Sequence, residues 1–151
     1  MSPKGKSNMD IRRMRRGDID DVLALDREIG GGKSSMNRRD MFTIDPDGPA
    51  TLSFVAEAEN KVVGFVLARL AYVYIPFTEV CLIHGIAVSP EYQGKGIGSK
   101  LVIELISHCQ DEDILTIRSL VRERDDELKK FLGRLGFTRS NIVNYDKTFE
   151  S

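Results

Sequence analysis

A glycine-rich turn between an apolar run and a helical repeat constrains this chain more than any other feature. The run Val80–Val88 is apolar with few interruptions, and the turn Ser89-Pro90-Glu91-Tyr92 follows it. Gln93-Gly94-Lys95-Gly96-Ile97-Gly98 then opens a periodic segment that ends near Gln110. Gly98, Leu101, Val102, Leu105, Ile106 and Cys109 recur at i, i+3, i+4, i+7, i+8 and i+11, which is one face of an α-helix. The order is strand, glycine turn, helix. A helix start exposes N–H groups with no internal partner, and its dipole makes that end partly positive. Glycines there carry no Cβ, so an anion such as a phosphate can come close to the backbone.

Three phosphate-binding patterns compete for this stretch. The Walker pattern needs Gly, four residues, then Gly-Lys-Ser/Thr. Residues 94–98 lack it, and Gly32-Lys33-Ser34 fails because the required earlier glycine is Arg27. The dinucleotide pattern fails because its third glycine falls on Ser99 and no early βαβ unit precedes it. The pattern Gln/Arg-x-x-Gly-x-Gly/Ala after a strand is met by Gln93, Gly96 and Gly98. On these residues, and on the whole context IAVSPEYQGKGIGSKLV, the chain resembles the GCN5-related N-acetyltransferase (GNAT) family.

Composition is consistent with one domain over residues 1–151, with enough apolar content for its own core: 41% of residues are hydrophobic and 30% charged. The net charge of −1 gives no general attraction to nucleic acid. A local basic bias, with Lys4, Lys6, Arg12, Arg13, Arg15 and Arg16 against Asp10, reads as a solvated arm before it reads as a nucleic-acid contact. Cys81 and Cys109 sit inside apolar patterns with no metal spacing, so they read as core thiols and no metal is expected. No run has spanning length and no signal peptide is visible, so a cytoplasmic location without a membrane partner is expected.

In chain order, residues 1–8 read as disordered, with Met9 an alternative start. Asp10–Arg16 is a strand candidate, and Asp18 can cap a helix carrying Val22, Leu25 and Ile29, stopped by Gly30-Gly31-Gly32. Ser34 or Ser35 can cap a second short helix through Met41-Phe42, and Asp45–Pro49 is loop. Thr51–Ala58 and Lys61–Tyr74 are strands joined by a tight Glu59-Asn60 turn, with Gly64 marking a bulge or a close approach. Val80–Val88 reads as buried on both faces, and it and Ile114–Val121 flank the glycine-turn helix and so should be parallel. Asp125 or Asp126 caps a last helix with Leu128, Phe131, Leu132 and Leu135 as its buried stripe, Gly136 stops it, and Ile142–Phe149 reads as a final strand.

The family resemblance implies an α/β fold with a mixed six- to seven-stranded central sheet flanked by about four helices. It implies acetyl-CoA as co-substrate and a primary amine as acceptor: a protein N-terminus, a lysine or a small metabolite. Oligomeric state stays open, a homodimer being one option. Backbone groups of Ile86, Ala87 and Val88 would hold the pantetheine arm. N–H groups from Gly94 through Lys95, Gly96, Ile97, Gly98 and Ser99 would hold the pyrophosphate, with Gln93 tying the turn and Lys95 adding charge. The loops after the first helix, including the triple glycine, would line the acceptor site.

For the chemistry, a strand N–H such as that of Val88 can meet the charge that gathers on the carbonyl oxygen. His84 is the first candidate base, because an imidazole titrates near 6.5 and regular alternation puts it on the side of Ile86 and Val88. Glu79 is the second, working through water. The family's tyrosine, a proton donor to the leaving thiolate, falls on Leu132, and its asparagine falls on Asp125. Tyr145 and Tyr74 are the substitute donors. The leucine also motivates an alternative of another class, an acyl-CoA-binding sensor with little turnover.

Overall fold

A computed structural model describes residues 9–30, 52–75 and 78–150. They fall into two compact units, one ending at Leu120 and the other beginning at Val121.

The first unit is an α/β sheet in the order β1-β2-β3-β4-β5: β1 Asp10–Arg13, β2 Phe54–Ala58, β3 Lys61–Val73, β4 Thr78–Val88 and β5 Ile117–Ser119. The first three pairings are antiparallel and β4–β5 is parallel. Helix α1 spans Ile19–Ile29 and α2 spans Ile97–Asp111. The second unit carries α3, Asp126–Arg134.

Local chemistry accounts for these elements. Glu59 and Asn60 both take positive φ, 51° and 63°, as a two-residue turn between strands requires. On one face of the sheet, Val22, Leu23 and Leu25 of α1 pack with Val55, Phe65 and Leu67. On the other, α2 buries Leu101, Val102, Leu105 and Cys109 of the predicted stripe together with Ile97, while Gly98 and Ile106 are half-buried. Gly64 lies under α2: a Cβ there would meet Ala87 O at 3.2 Å and Ile97 Cγ2 and Leu101 Cδ1 at 3.4 Å. It is thus a close approach, and the register also shifts beside it, between Ala56 and Glu57. Cys81 and Cys109 are buried free thiols that hydrogen-bond to each other, and that hydrogen bond with burial pushes the Cys81 thiol above its ordinary range.

Several expectations change. Asp18 makes no cap bond to α1. Its carboxylate is gripped by Arg12, Nη1 to Oδ2 and Nη2 to Oδ1 both at 2.9 Å, and accepts the Arg15 N–H at 2.7 Å. Arg12 also donates Nε to Glu57 Oε1 at 3.0 Å, so it is part of the fold and not of a solvated arm. In the second unit Asp125 caps α3, its Oδ1 accepting the Leu128 N–H at 3.0 Å. Leu132 is the buried residue of that helix. The final strand is absent: residues 137–150 form no ladder among the described residues, and Val143, Tyr145 and Phe149 are exposed. Alternation alone cannot make a strand, since its N–H and C=O groups need an edge to bond. The sheet therefore has five strands among the described residues. The expected second helix, the loop at 45–49, the triple glycine's last two residues and the N-terminal tail lie outside them.

Candidate functional site

The site grows from β4, and one irregularity sets its geometry. Leu67 pairs with Gly85 and Ala68 with Ile83, so His84 is an extra residue, a β-bulge. Below the bulge the Cys81 N–H donates to Thr116 O at 3.0 Å, toward β5. Above it the Ser89 N–H donates to Val63 O at 2.8 Å, toward β3. Backbone groups alternate along a strand, so Ala87 also turns to β3, while Ile86 and Val88 turn to the opposite edge. Had β4 run regularly, the odd-numbered residues would have kept facing β5.

That opposite edge is open. β5 pairs with β4 only at Cys81, Leu82 and Ile83, and among the described residues no strand pairs with β4 beyond them on that side. The open half is less buried than its composition predicts: Ile86, Ala87 and Val88 are half-buried. The Ile86 N–H and C=O and the Val88 N–H are turned outward there, as a strand meeting a partner would turn them. The Val88 carbonyl is occupied, since Gln93 Nε2 donates to it at 2.9 Å. Gln93 therefore ties the turn to the end of the strand.

The turn continues this edge. Gly94 and Gly96 both have left-handed backbone, φ +80° and +79°, which L side chains rarely adopt. A Cβ at either would meet nothing within 4 Å, so the space above them is open. Gly96 precedes α2, and the first closing bond is Lys100 N–H to Gly96 O at 3.0 Å. The N–H groups of Ile97, Gly98 and Ser99 thus have no intrahelical acceptor. Lys95 stands over the Tyr92 ring, 5.4 Å from its centre.

His84 does not face the side predicted for it. Phe65, Leu67 and Arg69 alternate onto the α1 face of β3, while Gly64 and Val66, paired with Val88 and Ile86, lie on the α2 face. Arg69 Nε donates to His84 Nε2 at 3.1 Å, which puts the imidazole on the α1 face. The bulge broke the alternation on which the expectation rested. An arginine cannot accept, so the neutral ring carries its proton on Nδ1. His84 is exposed, and partial desolvation, then the charge of Arg69, hold its pKa below its ordinary value. Arg69 had no sequence signal, because its partner is set by a bulge in the neighbouring strand.

Within the first unit, Glu79 and Tyr74 are not gathered here. Glu79 lies at the far end of β4, roughly 16 Å along the strand from His84. Tyr74 is exposed where β3 ends, and Tyr145 is 95% exposed in the tail of the second unit. Asp125 and Leu132 also belong to that unit, where they cap and bury α3. Among the described residues there is no group of three or more His, Cys, Asp or Glu side chains able to hold a metal, and no helix long and apolar enough to cross a membrane.

A strand edge with outward amides, continued by bare glycines and a helix start, suits an extended ligand ending in a diphosphate. Known proteins point the same way. Residues 19–137 match the model of the acetyltransferase (GNAT) family. An uncharacterised N-acetyltransferase of Methanocaldococcus jannaschii is 29% identical over 144 residues, covering 88% of this chain and 62% of that protein. A mycothiol acetyltransferase of Paenarthrobacter aurescens is 26% identical over 113 residues, covering 71% and 34%. The chain thus spans less than two thirds of the length of these curated relatives. The aminoglycoside N-acetyltransferase AAC(6')-Iy, solved in complex with CoA, superposes with a TM-score of 0.82 at 22% identity, over 98% of this chain and 99% of that one. An aminoglycoside 6'-N-acetyltransferase of Acinetobacter baumannii gives 0.77 at 21%, over 95% and 100%. These two likenesses speak for the fold, and the family match speaks for descent: the chain belongs to the acetyltransferase (GNAT) family, whose members use acetyl-CoA.

Proposed function

We propose that this chain transfers an acetyl group from acetyl-CoA to a primary amine by direct attack. The observation that carries the reading is the open edge of β4 beyond Ile83, continuous with the left-handed glycines at 94 and 96. The pantetheine arm lies along Ile86 and Val88 as a substitute strand. Ala87 supports that edge from the ladder side. The pyrophosphate rests on the N–H groups from Gly94 to Ser99, where the helix dipole adds attraction.

His84 takes the proton of the acceptor ammonium on Nε2. The freed amine lone pair forms the C–N bond, and the Val88 N–H meets the negative charge on the carbonyl oxygen. The C–S bond then breaks, its electrons go to sulfur, the proton on His84 passes to that thiolate, and the second proton on the acylated nitrogen leaves to solvent. This accounts for the proton without a tyrosine at position 132. Calorimetry with acetyl-CoA tests the binding step: no heat at millimolar ligand would end the reading.

A second reading, an acyl-CoA sensor, is favoured by Leu132, which is 5% exposed and cannot donate a proton. Release of CoA thiol with any amine, above background hydrolysis, counts against it.

A further inference from the structure

The arginines of this protein are not equally compensated. Arg12 is held by two carboxylates, Asp18 at 2.9 Å and Glu57 at 3.0 Å. Arg118 donates Nη2 to the Ile75 carbonyl at 2.9 Å. Arg69 donates Nε to a neutral ring, His84 Nε2, at 3.1 Å. Among the described residues no carboxylate lies within ion-pair distance of it. A guanidinium has five N–H donors in a flat fork that matches a carboxylate, and the bond to His84 uses one of them. Its Nη groups stay outside that bond. The cation therefore stands beside the proposed base with no anion of its own among the described residues.

We propose that Arg69 is the counter-ion for a carboxylate carried by the acceptor, so that the acceptor is an amine bearing an acid group and not a polycation. This rests on the acetyltransferase reading with His84 as base. A bond from a guanidinium to a carboxylate is about twice as strong as one to a neutral acceptor. The acceptor's carboxylate therefore seats on the Nη groups while Nε stays on the imidazole. The carboxylate anchors the acceptor beside the base, and the Nε bond gives way when the ammonium proton moves to Nε2. A polycationic amine meets like charge at Arg69 and gains no such anchor.

The test uses the full chain with three acceptors of equal length: aminohexanoate, aminohexanamide and diaminohexane. CoA thiol release gives kcat and KM for each, and calorimetry gives acetyl-CoA affinity separately. The expected order of kcat/KM is acid, amide, diamine, with the acid ahead of the amide by about ten-fold. Arg69→Gln closes the gap between acid and amide, chiefly through KM. Arg69→Glu reverses the order, and Arg69→Lys, which keeps the charge, preserves it. Circular dichroism shows that each variant is folded.

Equal use of acid and diamine by the unsubstituted protein overturns the assignment, as does a gap that survives Arg69→Gln. Acetyl-CoA bound with none of the three acceptors turned over also overturns it. No acetyl-CoA binding at all is a distinct result, which overturns the acetyltransferase reading and this assignment with it.

Discussion

Gln93 reaches back across the turn to donate its Nε2 proton to the carbonyl of Val88 at 2.9 Å. The bond joins the last residue of β4 to the start of the glycine turn, so the proposed pantetheine edge and pyrophosphate cradle are held in one register. It is solvent-exposed, and a single neutral bond contributes about 1 kcal/mol. Gln93→Ala should therefore weaken acetyl-CoA by roughly five-fold and move the melting temperature little. Calorimetry beside a thermal melt checks this. A melting loss as large as that of a core variant would make Gln93 a folding residue instead.

Gly96 is the sharper position. Its φ of +79° costs an L residue about 1–2 kcal/mol, yet a Cβ there meets no atom within 4 Å. Gly96→Val should leave a folded, somewhat less stable protein whose new methyl groups stand where the diphosphate would lie. Acetyl-CoA affinity should fall by more than ten-fold, well beyond the loss in Gln93→Ala. Affinity that survives the substitution would put the phosphates elsewhere.

Gly64 makes the opposite case, a glycine required by packing. A Cβ would press on Ala87 O at 3.2 Å and on two side chains of α2 at 3.4 Å. Gly64→Val should cost about 1–3 kcal/mol by overpacking. Because α2 carries the glycine turn at its start, acetyl-CoA binding should weaken as well. Denaturant unfolding of this variant should therefore show a clear loss of midpoint, where Gly96→Val shows a smaller one.

The pair Arg12–Asp18 gives a pH signature. Burial opposes the charge on Asp18, but the bonds from Arg12 and from the Arg15 N–H outweigh it, and the folded pKa lies below the ordinary carboxylate value. The unfolded state then binds more protons as the medium becomes acidic. The pair's contribution is fully present above the unfolded value, about 3.9, and is lost as pH falls through the folded one. Asp18→Asn should remove about 1–3 kcal/mol at neutral pH and flatten the acid-side decline in stability. An unchanged slope between pH 5 and about 2 would refute the linkage.

What was legible in this sequence was local. The strand, glycine turn and helix could be read because a missing Cβ, a turn proline and a 3.6-residue period act within a few residues of each other. The Glu59-Asn60 hairpin and the close approach at Gly64 were legible for the same reason. Asp18 was misread as a cap because its partner, Arg12, comes from β1 and is brought over only when that strand pairs with β2. The bulge at His84 had no signal, since a bulge belongs to two strands and not to one. With it went the side on which His84 lies, the choice of Ile86 and Val88 over Ala87 at the open edge, and the existence of the Arg69 contact. The tail's alternating Val143, Tyr145 and Phe149 described a strand, but residues 137–150 form no ladder among the described residues.

That missed contact makes a last measurement decisive for the chemistry. Partial desolvation is the first cause of the low His84 pKa and the charge of Arg69 the second. A lowered pKa keeps the imidazole neutral at pH 7, so kcat/KM should stay level through neutrality and fall only below pH 6.5. Arg69→Gln removes the second cause and leaves the first. The acid limb should then move upward, toward 6.5 and short of it. His84→Gln should lose about 10²–10⁴ of kcat and erase the limb altogether. An acid limb that persists unchanged in His84→Gln would assign the base to another group, because no glutamine titrates in that range and the fold around the bulge keeps its backbone bonds.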